Sequence, residues 1–358
     1  MRLYVRQRFG LETRNLFEAL EVVEPFSLFS REFLWFSHAL RRLGNGVRHL
    51  TLPRVGRREV ESAGLLLYFF LEHLAEKNRE TLQKWPNLKP AFQDFLKLPV
   101  FELYEKLYTS RIDDIEMRHL TPSGSGEGIF HTATLLSLYA ESRIWEGRPD
   151  SLCSVLDLLD FALQKLPLEE TARLVQLKAL AQKKQGRIDD AMKTLQEFYP
   201  AKTGRDDPES AGILASCFRA KWLETGDLKH LHQSYELYEH NYSKSKNSYV
   251  GINLAATCLY LGDPQKSRQI AIELKKSLLL LVEKLKIPIA ELDLWMLATL
   301  AEAALLAQDF PNARKWYALY FGRVKDKPGM AETTRRQLER NLAALHLCDD
   351  PDAFLQET

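Results

Sequence analysis

Between Glu209 and Asp263 three helix-length patterns follow one another with almost no chain between them. The first spans about 208–224 and stops at Gly226, the second spans Leu228–Tyr242, and the third spans Tyr249–Leu261 and stops at Gly262. Breaks this short leave successive helices antiparallel and side by side. Small residues (Gly212, Ala215, Ala255, Ala256) mark where a neighbouring helix comes close, and aromatics (Phe218, Trp222, Tyr235, Tyr238, Tyr242) mark where a groove is filled. No alternating strand pattern of useful length occurs anywhere, so a sheet is excluded. Two polar residues interrupt the apolar patterning. Arg219 lies on an otherwise apolar helix, and Asn253 lies inside G-I-N-L-A-A, where a strong helix former is expected.

The same arrangement continues on both sides. Upstream, helices are predicted over 129–145, 152–166, 169–185 and 188–199; downstream, over 265–285, 291–307, 310–323 and 330–347, with a polar D-D-P-D tail after Leu347. A repeat signal runs through them. Gly186, Gly262 and Gln308 each stand five residues before a small residue, Ala191, Ser267 and Ala313, and each follows a helix carrying inward-facing alanines. The interval from Ser234 to Ser267 is close to the ~34-residue period of helix–turn–helix repeats. The pattern resembles the tetratricopeptide repeat.

The first 120 residues differ. Leu11–Val23, the aromatic-rich Phe26–Leu43, Glu59–Leu82 and one or two helices between Leu88 and Tyr108 show no repeat period. A helical bundle is expected there. Thr121–Gly128, T-P-S-G-S-G-E-G, is the only low-complexity stretch and reads as a linker. The expected architecture is all-α: an N-terminal bundle over 1–120, a linker over 121–128, and a right-handed tetratricopeptide-like α-solenoid over 129–358.

Composition excludes several classes. A formal net charge of +1 gives no global field for nucleic acid. The longest apolar runs are too short to span a bilayer, and the N-terminus has no signal-peptide h-region, so a cytoplasmic protein without membrane contact is expected. Four dispersed cysteines without a C-x-x-C pair read as buried reduced thiols. The histidines lack carboxylate partners at metal spacing, and no nucleophile-elbow, zinc-protease or phosphate-loop motif is present. No metal, cofactor or catalytic activity is expected.

The central stretch carries a narrower resemblance. Glu209-Ser-Ala-Gly212-Ile213 followed by Phe218-Arg219, then Ser234-Tyr235-Glu-Leu-Tyr238 with Tyr242, then Tyr249-Val-Gly251-Ile252-Asn253-Leu-Ala255 are similar to the motifs of the TPR-S domain, also called the TRAFs-binding domain of MAP kinase kinase kinases. Arg219 stands where that family has lysine. The resemblance implies a sensor or adaptor rather than a catalyst, of the type found in bacterial conflict and antiphage-defence systems. It implies a protein partner, an effector such as a caspase-like protease, or a nucleotide-derived ligand. Glu209, Arg219, Tyr249 and Asn253 combine a carboxylate, a guanidinium, a phenol and an amide, a set suited to a polar or phosphorylated ligand on the inner face of a solenoid. A structural alternative is that Asn253 bridges the preceding turn while Arg219 pairs with Glu209.

A catalytic alternative lies in the N-terminal bundle. Arg42 and His49 fit the loose Arg-x(4–6)-His spacing of HEPN ribonucleases, in which the histidine acts as acid/base and the arginine holds the phosphate. The basic residues Arg54, Arg57 and Arg58 follow. The other reading is a glycine-terminated helix with an Arg-His loop.

Overall fold

The computed structural model describes residues 57–77, 88–109, 111–115, 120, 129–146, 148–166, 172–198, 208–285, 288–292, 294–324, 328–348 and 350–356, together with Phe33, Phe36, Ser37, Ala39 and Leu40. Among them are fifteen α-helices and no strand, and consecutive helices pack as in a helical solenoid. The described residues up to Gln185 form one compact unit and those from Gly186 onward form another.

The first unit contains α1 (Arg57–Lys77), α2 (Leu88–Leu96), α3 (Phe101–Tyr108), α4 (Ile129–Glu146), α5 (Pro149–Lys165) and α6 (Ala172–Lys184). One continuous core joins them, running through Phe36, Leu65, Tyr104, Tyr139, Leu156 and Leu177. Aromatic rings dominate its N-terminal end, where Phe69 stacks on Tyr108 at 4.8 Å and meets Phe36 edge-on at 5.4 Å. Helix α4 therefore shares its core with α1 and α3. The expected linker at 121–128, and with it the expected boundary, lies outside the described residues. Asp113 and Asp114 belong to a single 3-10 turn, Ile112–Asp114, and Asp113 accepts from Arg143 at 2.8 Å.

The second unit contains α7 (Ile188–Phe198), α8 (Pro208–Thr225), α9 (Leu228–Ser245), α10 (Ser248–Tyr260), α11 (Pro264–Leu285), α12 (Leu294–Leu306), α13 (Phe310–Arg323), α14 (Pro328–Ala344) and α15 (Pro351–Gln356). Four of its turns share one construction. A residue with left-handed backbone ends a helix: Gly226 at φ +73°, Lys246 at +52°, Gly262 at +81° and Gln308 at +63°. The next residue is Asp227, Asn247, Asp263 or Asp309. Asp227 accepts from the Lys229 amide, Asn247 from the Tyr249 and Val250 amides, and Asp263 from the Lys266 amide, so each caps the following helix. Glycine takes the left-handed conformation without strain, whereas lysine or glutamine there costs about 1–2 kcal/mol. The expected small residues on the second helices are packed, with Ala191, Ser267 and Ala313 all buried.

Gly251 is a second place where a missing side chain matters. A Cβ there would lie 2.6 Å from the Tyr242 ring, so the glycine lets α9 and α10 close together. Gly212, expected to serve the same purpose, does not: a Cβ there would meet nothing within 4 Å among the described residues. Two further expectations are corrected. The C-terminal D-D-P-D stretch opens a short helix, α15, whose Phe354 is buried and takes Arg314 over its ring at 4.8 Å. Of the four free cysteines only Cys217 and Cys258 are buried, while Cys153 is exposed and Cys348 half-buried.

Candidate ligand site on the inner face of the second unit

The first helices of successive pairs form the inner face: α10 packs against α12, and α14 packs against both. On α8, Glu209, Gly212, Ser216 and Arg219 recur at three- and four-residue spacing and so share one face. On α10 the same spacing aligns Tyr249, Asn253, Thr257 and Tyr260. Both faces were built by the apolar patterning of the opposite sides, which bury Ala211, Ala215 and Phe218 of α8 and Leu254, Ala255 and Cys258 of α10 in one core.

Arg219 is half-buried, and its Nη1 is buried without a hydrogen-bond partner among the described residues. Its guanidinium sits 6.0 Å from the ring of Tyr238, a fully buried residue whose hydroxyl likewise has no partner among them. Burial alone would lower the Arg219 pKa, but the phenols of Tyr238, Tyr260 and Tyr249 and the carboxylate of Glu302 outweigh it and hold the arginine charged. Arg219 and Glu209, ten residues apart on α8, do not pair with each other. Glu209 is exposed and close enough to act electrostatically on Tyr249. Tyr249 remains 55% exposed, yet burial of its surroundings raises its phenol, opposed by Arg219. Asn253 is buried, and its Nδ2 donates to the Tyr249 carbonyl at 2.8 Å, bridging one helical turn. The structure thus gathers Arg219 and Tyr249, sets Glu209 at the rim, and leaves the Asn253 amide engaged with its own backbone.

Sequence reasoning missed the opposite wall. Glu302, on α12, accepts from Gln337 Nε2 and Asn341 Nδ2, both at 2.9 Å and both on α14. The Tyr260 hydroxyl donates to Asn341 Oδ1 at 2.6 Å and accepts from Gln337 at 3.2 Å. Arg340 donates to Gln337 Oε1 at 3.1 Å. Burial raises the Glu302 carboxyl, against the hydrogen bonds of Asn341 and Gln337 and the charges of Arg219 and Arg340. Burial pushes Tyr260 up to about 12. Trp222 of α8 stacks on Tyr260 at 5.5 Å and extends the site as a flat aromatic surface. A signal was available: Glu302 is the sole charge in the helix L-W-M-L-A-T-L-A-E-A-A-L-L.

Two guanidiniums (Arg219, Arg340), two carboxylates (Glu209, Glu302) and three phenols (Tyr238, Tyr249, Tyr260) on five helices lie along this face. They include no nucleophile–base pair, and no group of three or more His, Cys, Asp or Glu residues able to hold a metal occurs among the described residues. Residues 152–259 match the family described as Tetratricopeptide Repeats-Sensor. No curated protein matches the chain. The matched segment contains Glu209, Arg219, Tyr238, Tyr249 and Asn253 and stops before Tyr260, Glu302 and the α14 residues. The match supports tetratricopeptide-like repeats, a generally non-catalytic type suited to protein interaction or sensing. No described helix is long and apolar enough to cross a membrane. Arg42, His49 and Arg54 of the ribonuclease reading lie outside the described residues. Arg57 is exposed and pairs with Glu61 at 2.7 Å.

Proposed function

We propose that this protein is a non-catalytic cytoplasmic sensor or scaffold whose working site is the inner face around Arg219, with Glu209 and Tyr249 at its rim and Asn253 fixing the α10 turn beneath them. The observation that carries this reading is the unmet hydrogen-bonding capacity of Arg219 Nη1 beside the equally unpartnered Tyr238 hydroxyl. A buried donor left unpaired costs about 1–3 kcal/mol, and a ligand that accepts from it recovers that loss. A solenoid suits the task because stacked helices hold side chains rigidly along an extended groove. The ligand is a nucleotide-derived molecule or a polar segment of a partner protein, and the partner an effector such as a caspase-like protease in a defence setting; the resemblance to the sensor family supports these choices.

The test is recovery from the native host of the wild-type chain beside Arg219→Ala, read by mass spectrometry of bound proteins and of extracted small molecules. Loss of one protein or small molecule from the variant alone is expected. Identical recovery from both sinks the reading.

A further inference from the structure

We propose that the inner face is a two-arginine clamp for a phosphoryl group, held between Arg219 of α8 and Arg340 of α14, and that filling it fastens α14 across the groove. This rests on the reading that the inner face is the ligand site.

The charge balance comes first. Arg219 and Arg340 flank one network from different helices: Trp222, a turn after Arg219, stacks on Tyr260, while Arg340 donates to Gln337, which donates to Tyr260 and Glu302. The charge of Arg219, after burial, is part of what lowers Arg340. The carboxylate within reach of both is Glu302, and its oxygen already accepts from Gln337 and Asn341. The three groups therefore carry one uncompensated positive charge in a half-buried site. Donor capacity comes second. Among the described residues Arg219 Nη1 and the Tyr238 hydroxyl have no hydrogen-bond partner, and Tyr249 lies within electrostatic reach of Arg219. Two guanidiniums and two phenols offer more donors than the two oxygens of a carboxylate can accept, and they suit the three terminal oxygens of a phosphoryl group.

The coupling to α14 follows from where the arginines sit. Helix α14 reaches the inner face through polar contacts: Gln337 to Tyr260 and Glu302, and Asn341 to the same two groups. A phosphoryl group between Arg219 and Arg340 replaces repulsion by two charge-assisted bridges and joins α8 to α14.

The experiment is calorimetric titration of the full chain with inorganic phosphate and with phenyl phosphate, alongside amide hydrogen exchange over residues 328–344. Wild type is expected to bind phosphate and to slow exchange in α14 when it does. Arg219→Gln and Arg340→Gln are each expected to weaken binding about tenfold or more. Arg336→Gln, on the same helix but exposed and paired with Glu332, serves as the charge control and leaves binding unchanged. Tighter binding of phenyl phosphate places the group on an aromatic ligand lying along Trp222 and Tyr260; equal binding assigns the site to the free anion. Either result supports the clamp if both arginines are required. Absence of phosphate binding by wild type, or binding that Arg340→Gln leaves intact, overturns it. Loss in Arg219→Gln alone overturns the clamp while the groove reading stands, and co-purification that ignores Arg219 overturns that reading separately.

Discussion

The second unit holds two clusters built from the same residue types, one on each side of its helix layer. On the outer side Lys266 of α11 donates to Glu239 of α9 at 2.7 Å and also to the Tyr235 hydroxyl, which itself donates to Glu239. Every member has its partner. The Glu239 and Tyr235 contacts raise Lys266, and Lys266 in turn lowers Glu239. On the inner side Arg219, Tyr238 and Glu302 leave a guanidinium nitrogen and a hydroxyl without partners, and burial raises the carboxyl instead of charge lowering it. A closed cluster ties helices together. An open one in a folded protein holds interaction capacity in reserve, and that difference, rather than residue type, separates a structural tie from the proposed site.

The sharpest way to break the comparison is paired truncation. Arg219→Ala is expected to weaken phosphate binding about tenfold or more while changing chemical-denaturation stability by less than about 1 kcal/mol, because no ion pair is lost. Lys266→Ala is expected to do the reverse: binding unchanged and a stability loss of no more than about 1 kcal/mol, since the pair is roughly half exposed. Equal effects on both readouts would merge the two clusters into one structural category.

A pH titration tests the inner side alone. Glu302 is surrounded by Arg219 of α8, Tyr238 of α9, Tyr249 and Tyr260 of α10, Tyr317 of α13 and Arg340 of α14. Its folded pKa lies above the ordinary 4.5, so the native state binds this proton more tightly than the unfolded chain. Its contribution to stability is therefore greatest below 4.5 and is lost as pH rises through the raised value. Protonation also removes the carboxylate that competes for the arginines. Affinity for sulfate, which does not titrate in this range, is expected to rise as pH falls, on the order of fivefold for one charge. Glu302→Gln flattens that profile at the tighter limit; a profile unchanged by the substitution would place the titrating group elsewhere.

Smaller effects refine the contrast. Tyr238→Phe removes a buried hydroxyl without a partner, so stability holds or rises while phosphate affinity falls by a few-fold, the size of one net hydrogen bond. Tyr235→Phe removes a bonded hydroxyl on the outer side and costs about 0.5–1 kcal/mol in denaturant titration without touching affinity. Gly212→Ala, which meets no described atom within 4 Å, is expected to raise stability by about 0.5–1 kcal/mol through helix propensity alone.

Most helix boundaries from residue 129 onward were legible because the turns announce themselves. Gly226 and Gly262 supply left-handed backbone and the next residues cap, so periodicity and punctuation agree. Gln308 shows that the position matters more than the glycine. The C-terminal helix escaped because A-F-L is too short to show a period, although Asp350 and Pro351 begin it as a helix should begin. The site was half legible. Arg219 stood out against its apolar helix and Asn253 against good helix formers, but a single stretch reveals only its own face. Glu302, Gln337, Arg340 and Asn341 lie on helices distant in sequence, and only the packing of α14 against α10 brings them opposite Arg219. Gln337 and Asn341, one turn apart beside the buried Leu338 and Leu342, were the readable trace of that wall.

The tight turns carry one last consequence. With a single left-handed residue and a single cap between helices, the α8–α9 and α9–α10 turns leave no slack. Inserting one residue into such a turn forces either a new loop or a rotation of everything downstream by about 100°, the angular step of a helix. Arg219 of α8 and Tyr260 of α10 are aligned only while both turns between them keep their length. The inner face is thus indexed by counting as much as by chemistry, and a change in either turn, touching neither side chain, is enough to put the two out of phase.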